Sequence, residues 1–198
     1  MDESRLTLLP DQTLGPLLPA LQGRLLSVGR SINARNFRSI LDMAMRQLFD
    51  GVVDQVDATE GSIWLLEQQN LTIAYNTNPK SQHLVGKFKQ PLSSGLLSMV
   101  FSNEQSFIEN EVFRNIQQDK TLDSMLQVRT YAMIAVPFYF LQECRGVASC
   151  VQLISNATPE AASPNGFDGV HEAMFRNGSM VLGRLIDYWV VTRAIGLE

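Results

Sequence analysis

The chain has 198 residues, of which 45% are hydrophobic and 18% are charged, and its formal net charge is −4. This balance is typical of a globular domain with enough apolar side chains for a core, and the lack of any Lys- or Arg-rich stretch argues against a nucleic-acid partner. No apolar run reaches membrane-spanning length, and the acidic start lacks the basic region of a secretion signal, so we expect a cytoplasmic protein without membrane insertion.

The first 32 residues are predicted to form an arm and a short helix ahead of one domain over residues 33–195. Three prolines within the first 19 residues favour a loosely held arm. Residues 17–32 have the apolar spacing of a helix, with one side formed by Leu18, Leu21, Leu25 and Val28.

A strongly amphipathic helix is predicted next, from Asn36 to about Ala58. Asn36 is a residue type that often caps helix N-termini. The apolar residues recur at three- and four-residue spacing: Phe37, Ile40, Leu41, Ala44, Leu48, Val52 and Val56. Such a stripe indicates a helix that packs on one face of a sheet.

After Gly61 the apolar spacing changes to that of strands. Strands are predicted at 62–67, 71–77, 85–92 and 106–109, and short helices at 96–102 and 121–128. The first two strands form a hairpin with its turn at 68–70. Asp119 and Asp123 lie four positions apart and are interpreted as part of a solvated helix face.

The longest predicted strands form a central hairpin over Arg129–Ser155. Residues 131–141 and 147–154 are rich in β-branched, aromatic and small apolar residues, with a polar break at 142–146. Neither strand alternates cleanly between apolar and polar residues, which is typical of a strand covered on both faces. We therefore expect helices on one side of this hairpin and the irregular segment 78–128 on the other.

The last predicted helix runs from Phe167-Asp168 to about Ile195 and carries two apolar stripes. The first is Met174, Val181, Leu185, Tyr188 and Thr192, and the second is Phe175, Leu182, Ile186 and Trp189. A helix that packs only on its own sheet needs one stripe, so we expect a homodimer, with a more deeply buried helix as the alternative. The expected interface residues are Leu21, Leu25, Val181, Leu185, Tyr188 and Trp189.

An ordered set of motifs from about Asn33 to Arg193 resembles the GAF domain family. The matching pieces are Gly61–Leu66, Gly95–Val100, Phe107–Asn110, Thr130–Pro137 with Arg145–Val147, and Phe167-Asp168. The resemblance implies an α+β, PAS-related fold with a central antiparallel sheet, N- and C-terminal helices on one face and a pocket on the other. It also implies a sensory or regulatory module that binds a small ligand and signals to a downstream effector protein through dimerising helices.

The family's cofactor signatures are not reproduced. Cyclic-nucleotide binders have a lysine after the asparagine that matches Asn110, where this chain has Glu111. Bilin-binding members attach the chromophore to a cysteine that often has a histidine beside it, and neither cysteine here has such a neighbour. We expect neither haem nor a metal site, because His83 and His171 are interpreted as surface residues and ligand spacing is missing.

Cys144 and Cys150 are too few for a disulfide framework and are expected to be reduced. The free-methionine-sulfoxide reductases, which are GAF enzymes, use cysteines in the middle loop, whereas residues 78–128 contain none. We therefore expect no enzymatic activity, with such a reductase as a distant alternative. A ligand-free structural dimerisation module is the closer alternative.

The ligand pocket is predicted between the sheet and a roof formed by residues 84–128. The predicted floor residues are Trp64, Tyr75, Ala135 and Ser149, and the predicted roof residues are Leu92, Phe107, Glu109, Phe113 and Met125. Arg129 is the candidate partner for an anionic ligand, because a guanidinium binds carboxylate or phosphate through two hydrogen bonds. Nothing in these residues names the ligand.

Overall fold

The computed structural model describes residues 15–155 and 164–196, and within them six strands form one antiparallel sheet. The strands are β1 Glu60–Glu67, β2 Asn70–Asn76, β3 Lys89–Pro91, β4 Phe107–Asn110, β5 Val128–Phe140 and β6 Glu143–Ser155. The helices are α1 Leu18–Ser31, α2 Phe37–Ile40, α3 Met43–Gln55, α4 Leu96–Asn103, α5 Thr121–Leu126 and α6 Gly169–Ile195. The order across the sheet is β3-β2-β1-β6-β5-β4. Residues 1–14, most of the predicted arm, lie outside the described residues.

The N- and C-terminal helices share one face of the sheet, as predicted. α3 packs on β1, and α6 packs on β5 and along α1 and α3. The core between them, called the helix-face core, includes Phe37, Phe49, Ile134, Phe138, Phe175, Leu182 and Ile186. This arrangement confirms the predicted α+β fold and leaves the opposite face of the sheet to the roof.

β5 and β6 form the predicted central hairpin, but its turn is shorter than expected. The predicted break at 142–146 is wrong, because only Leu141 and Gln142 separate the strands, both in the left-handed region (φ 56° and 62°). Two consecutive left-handed residues are the pattern of a type I′ hairpin turn. Gly146, which suggested the break, lies within β6, where a Cβ would overlap the carbonyl oxygen of Trp64 on β1.

β5 is covered on both faces over most of its length, as its lack of alternation predicted. Ile134 and Phe138 are fully buried in the helix-face core, whereas Ala135 is fully buried on the roof side. The buried cluster on that side, called the roof-side core, consists of Trp64, Leu71, Ile73, Leu84, Leu97, Val100, Ala135 and Val147. Towards the turn the covering ends, and Tyr139 is 44% exposed.

The helix predicted over 36–58 is broken into α2 and α3. Asp42 starts a new helix because its side chain accepts the N–H of Met45 (2.8 Å), a standard N-cap bond. The break moves the apolar stripe by one position, so that Met45, Phe49 and Val53 are buried while the predicted Ala44 is exposed and Leu48 and Val52 are half-buried. Asn36 does precede α2, but its side chain makes no capping bond.

α6 begins where it was predicted to begin. The Asp168 side chain accepts the N–H groups of Val170 (2.9 Å) and His171 (3.0 Å), which is the N-cap arrangement. Just before it, the Asn110 side chain at the end of β4 accepts the N–H of Phe167 (2.8 Å) and donates to its carbonyl oxygen (3.0 Å). The start of α6 is thus bonded to the edge of the sheet. None of the described helices, α6 included, is long and apolar enough to cross a membrane.

Candidate functional site

A small cavity lies between the sheet and the roof helices α4 and α5, where the pocket was predicted. Its volume is about 70 Å³, whereas ligand pockets usually measure about 300–1,000 Å³. β1, β5 and β6 form its floor, and Leu96, Leu97 and Leu122 contribute apolar side chains from the roof. The cavity therefore has room for only a few non-hydrogen atoms while the roof is in this position.

The floor of the cavity is built by alternate residues of β1. Glu60, Ser62 and Trp64 point to the roof side because successive side chains of a strand face opposite ways. Trp64 donates its indole N–H to the Ser149 hydroxyl on β6 (3.2 Å). Glu60 is only 5% exposed, so a carboxylate stands in the buried floor.

A carboxylate of the roof also joins the cavity to β5. Asp123 on α5 accepts hydrogen bonds from the backbone N–H of Thr130 (2.8 Å), from the Thr130 hydroxyl (2.7 Å) and from the Gln118 amide (2.9 Å). The side-chain carbonyl oxygen of Gln118, Oε1, is buried and has no hydrogen-bond partner among the described residues. The predicted solvated face at Asp119 and Asp123 is thus wrong for Asp123, because Thr130 and Gln118 bind its carboxylate beside the cavity.

Several predicted site residues do meet at this cavity. Trp64 and Ser149 line it. Ala135 is buried on the same face of the sheet, and Phe107 and Leu92 pack against the same roof-side core, but these three do not line the cavity itself. The structure thus places two of these predicted residues at the cavity and three in or against the roof-side core.

Tyr75 was predicted on the floor and instead lies on the helix face. The pairing of β1 with β2 shifts register between Ile63 and Trp64, and this irregularity reverses the alternation of side chains in β2. The Tyr75 hydroxyl therefore donates to Asp50 on α3 (2.9 Å). Burial raises the pKa of both groups, and for Tyr75 the hydrogen bond to Asp50 adds to the effect.

Four other residues that were predicted to line the pocket lie outside the cavity: Phe113, Arg129, Glu109 and Met125. Arg129 is exposed, with its guanidinium 4.7 Å from the centre of the Phe113 ring. Glu109 accepts a hydrogen bond from the Asn115 amide (2.9 Å), and Met125 is 55% exposed. Arg129 alternates with the inward Thr130 along β5, so it does not provide the predicted contact for an anion.

The cavity contains polar residues that the sequence reasoning missed. These are Glu60, Gln90 and Gln118. For Glu60 a signal was present, since it shares the two-residue spacing of Ser62 and Trp64 and only the late start of the predicted strand hid it. For Gln90 and Gln118 no local pattern distinguishes an inward glutamine from an exposed one.

Both cysteines lie away from the cavity. Cys150 is fully buried in β6, and Cys144 is half-buried with its thiol donating to the Gly146 carbonyl (3.5 Å). Burial raises the pKa of both thiols, so the reactive thiolate form is disfavoured. Among the described residues, no three His, Cys, Asp or Glu side chains are grouped closely enough to hold a metal ion.

A larger concavity lies elsewhere, but it is an open groove. It measures about 950 Å³ and separates α6 from the residues around the start of β4 and the end of β5. Arg184 contacts Asp187 on its helix wall (3.6 Å), and Tyr139 donates to Glu104 on the opposite wall (2.7 Å). Because the polar groups on each wall already bind one another, this groove is a weaker candidate than the cavity under the roof.

No family model matches the chain, and no curated protein matches it in sequence. Solved structures resemble it in fold. The GAF domain of an Acinetobacter phosphoenolpyruvate-protein phosphotransferase has a TM-score of 0.54 at 18% identity, covering 93% of this chain and 97% of its own. The type II free methionine-R-sulfoxide reductase of Thermoplasma acidophilum has a TM-score of 0.57 at 16% identity, with coverages of 77% and 96%. The GAF-B domain of DevS from Mycobacterium smegmatis has a TM-score of 0.57 at 9% identity, with coverages of 80% and 98%. The likeness at these identities is one of fold, and the chain is therefore a GAF-like α+β domain, as its motifs predicted.

Proposed function

We propose that this chain is a regulatory module that holds a small ligand between its sheet and its roof and signals through its terminal helices. The observation that carries the proposal is the cavity under α4 and α5, which has polar side chains on both floor and roof. Gln118 is one of the lining residues, and its side-chain carbonyl oxygen is buried without a partner among the described residues, although buried polar atoms are normally hydrogen-bonded. A bound group that donates to this oxygen would complete the site.

The hydrogen bonds offer a route from the cavity to the last helix. Asp123 on the roof is bonded to Thr130 at the start of β5. Asn110, which ends β4 between the roof helices α4 and α5 in the chain, is bonded to Phe167 just before α6. A movement of the roof on ligand binding would therefore act on the first turn of α6.

The surface of α6 supports a homodimer. Four exposed apolar residues recur every seven positions: Met174, Val181, Tyr188 and Ile195, with exposed fractions of 38%, 44%, 69% and 45%. A seven-residue apolar repeat lines up along one side of a helix and is the pattern by which helices pair. Leu185 and Trp189 flank it, half-buried against the helix-face core, and α1 contributes the half-buried Leu21 and Leu25. A second copy and a downstream effector protein are the proposed partners.

Native mass spectrometry of protein purified from cells, combined with a thermal-shift screen of metabolites, tests this function. We expect the mass of two chains and either a retained small molecule or a compound that raises the melting temperature, because a ligand that binds only the folded state stabilises it by mass action. A monomer with no retained molecule and no stabilising compound would contradict the proposal.

A second candidate function is a dimerisation module without a ligand. The small volume of the cavity, about 70 Å³, favours this alternative. So does the packing of the Trp64 and Phe88 rings, whose centres are 6.0 Å apart in the roof-side core. A dimer that retains nothing and responds to no compound in the same experiment would select it.

A reductase activity is disfavoured by the state of the cysteines. Two structural neighbours are free methionine-R-sulfoxide reductases, but here both thiols lie outside the cavity and have raised pKa values. We expect no reduction of free methionine sulfoxide, and we expect Cys144→Ser with Cys150→Ala to leave association unchanged. Activity that is present in the wild type and lost in this double variant would make the protein an enzyme.

A further inference from the structure

The described residues that line the cavity under the roof include acidic side chains but no basic ones. Three carboxylates line it: Glu60 from β1, and Asp119 and Asp123 from the roof. Among the described residues that line it, none is a lysine, an arginine or a histidine, and Arg129 lies outside it over the Phe113 ring. A buried anion would face carboxylates without a compensating cation, which is a costly arrangement.

Several hydrogen-bond donors around the cavity are already occupied. The indole N–H of Trp64 donates to Ser149, and the Thr130 hydroxyl donates to Asp123. The Gln118 amide also donates to Asp123, and this bond fixes its orientation, because the reversed amide would bring two oxygens together. The carbonyl oxygen of Gln118 is left as a buried acceptor. A molecule that brings an N–H or O–H donor into this cavity would satisfy the Gln118 oxygen.

We propose that the cavity selects a small organic ammonium ion, the protonated head group of an amine. This inference rests on the proposed function, since it names the class of ligand held at that site. An ammonium group supplies a donor for the Gln118 oxygen and compensates the carboxylates of Glu60 and Asp123. The indole of Trp64 adds an aromatic surface of the kind that attracts cations. The volume of about 70 Å³ suits such a head group and excludes a large one.

The two tryptophans of the chain allow a direct measurement. Trp64 lines the cavity, whereas Trp189 is half-buried against the helix-face core and serves as an internal reference. The indole N–H resonances are followed by NMR while methylammonium chloride is added, with sodium acetate and potassium chloride at equal ionic strength as controls. We expect methylammonium to shift the Trp64 resonance saturably and to leave Trp189 in place, while acetate shifts neither.

Variants then test the named contacts. Glu60→Gln removes a cavity carboxylate and should weaken methylammonium binding about tenfold or more. Because Glu60 also accepts hydrogen bonds from Asn78 and Ser81, Gln118→Met is a second variant, which removes the free acceptor at similar shape and leaves those bonds intact. Glu109→Gln removes a roof carboxylate outside the cavity and should bind as the wild type does.

Two results would overturn the ammonium assignment. The first is that methylammonium does not shift the Trp64 resonance. This outcome includes the case in which acetate shifts the resonance and methylammonium does not. The second is equal methylammonium binding by the wild type, Glu60→Gln and Gln118→Met. In either case a different compound found in the metabolite screen would leave the proposed function standing, so the two failures are distinguishable.

Discussion

The hydroxyl of Tyr75 on β2 donates to the carboxylate of Asp50 on α3 across 2.9 Å, on the helix face of the sheet. Burial raises the pKa of Asp50, and burial together with the Asp50 hydrogen bond raises the pKa of Tyr75. A raised pKa means that the folded state holds the proton more tightly than the unfolded state. The raised pKa of Tyr75 therefore contributes to the free energy of unfolding. This contribution is fully present below the ordinary pKa of 10.0 and is lost as the pH rises above that value.

Tyr75→Phe should separate these effects. Near neutral pH the variant loses one hydrogen bond and about 0.5–1.5 kcal/mol of unfolding free energy. Above pH 10 the difference in unfolding free energy between the wild type and the variant should shrink. The reason is that only the wild type has a tyrosine at this position, which ionises when the chain unfolds. Thermal melts between neutral and alkaline pH provide the measurement.

Asp50→Asn is the companion variant. It keeps an acceptor for Tyr75 but removes a buried charge, so it should abolish the loss of stability that Asp50 causes as the pH rises from its ordinary pKa of 3.8. If the two variants and the wild type share one pH profile, the Tyr75–Asp50 bond has no energetic role in the folded protein.

Among the elements, α6 depends on contacts at two points along its length. Its start is bonded to the sheet edge by Asn110, which holds both backbone polar groups of Phe167. Further along, Gly183 crosses β5 so closely that a Cβ would overlap the carbonyl oxygen of Tyr139. Besides its packing in the helix-face core, α6 is thus bonded to the sheet edge at its start and approaches β5 closely at Gly183.

Asn110→Ala should release the start of α6. Two backbone groups of Phe167 lose their partners, which costs about 1–3 kcal/mol of unfolding free energy when they stay buried. Hydrogen exchange in the first turn of α6 should accelerate with the global change in stability. Asn115→Ala, which removes the bonds of that side chain to Glu109 and to the Gln117 N–H but no contact with α6, is the matched control and should leave α6 protected. Unchanged exchange in Asn110→Ala would argue against a role for this bond.

Gly183→Ala should destabilise the protein by about 1–3 kcal/mol, because the added methyl group meets backbone and cannot be accommodated by a rotamer change. Gly169→Ala is the control within the same helix, since a Cβ there meets nothing within 4 Å. It should be neutral or stabilise the protein by up to about 1 kcal/mol. Chemical denaturation of both variants measures the contrast, and equal stabilities would mean that α6 does not pack on Tyr139 this closely.

For the whole molecule, the exposed repeat on α6 predicts which variants separate the proposed dimer. Leu185 and Trp189 are half-buried against the core of their own chain, so charging them would also damage the fold. Val181 and Tyr188 are exposed, and each would contribute up to about 1.5–3 kcal/mol if fully buried in an interface.

Val181→Glu with Tyr188→Glu should therefore give a folded monomer in sedimentation velocity. Met180→Glu, at a residue that is 58% exposed on another side of α6, is the matched control and should remain dimeric. A double variant that sediments like the wild type would show that this stripe is not the interface.

Local patterns in the chain were sufficient to predict the fold. The apolar spacings of α1 and α6, the start of α6 near Asp168 and the two long hairpin strands depend on residues a few positions apart, and each is found where it was predicted. The same holds for Trp64 and Ser149 on the floor of the cavity, because the alternation in β1 and β6 is regular at those positions. The break at Asp42 was missed although its signal is local, because the apolar spacing continues across it.

Only the tertiary structure decided which polar side chains share the cavity. The alternation in β2 is reversed by the register shift beside Trp64, which moved Tyr75 to the opposite face. Glu60, Gln118 and Asp123 come from β1 and from the roof, and their meeting depends on how the roof packs. Arg129 lies outside the cavity, with its guanidinium over the Phe113 ring. The physical reason is that burial and hydrogen-bond partners are properties of pairs distant in sequence, whereas periodicity and capping are properties of neighbours.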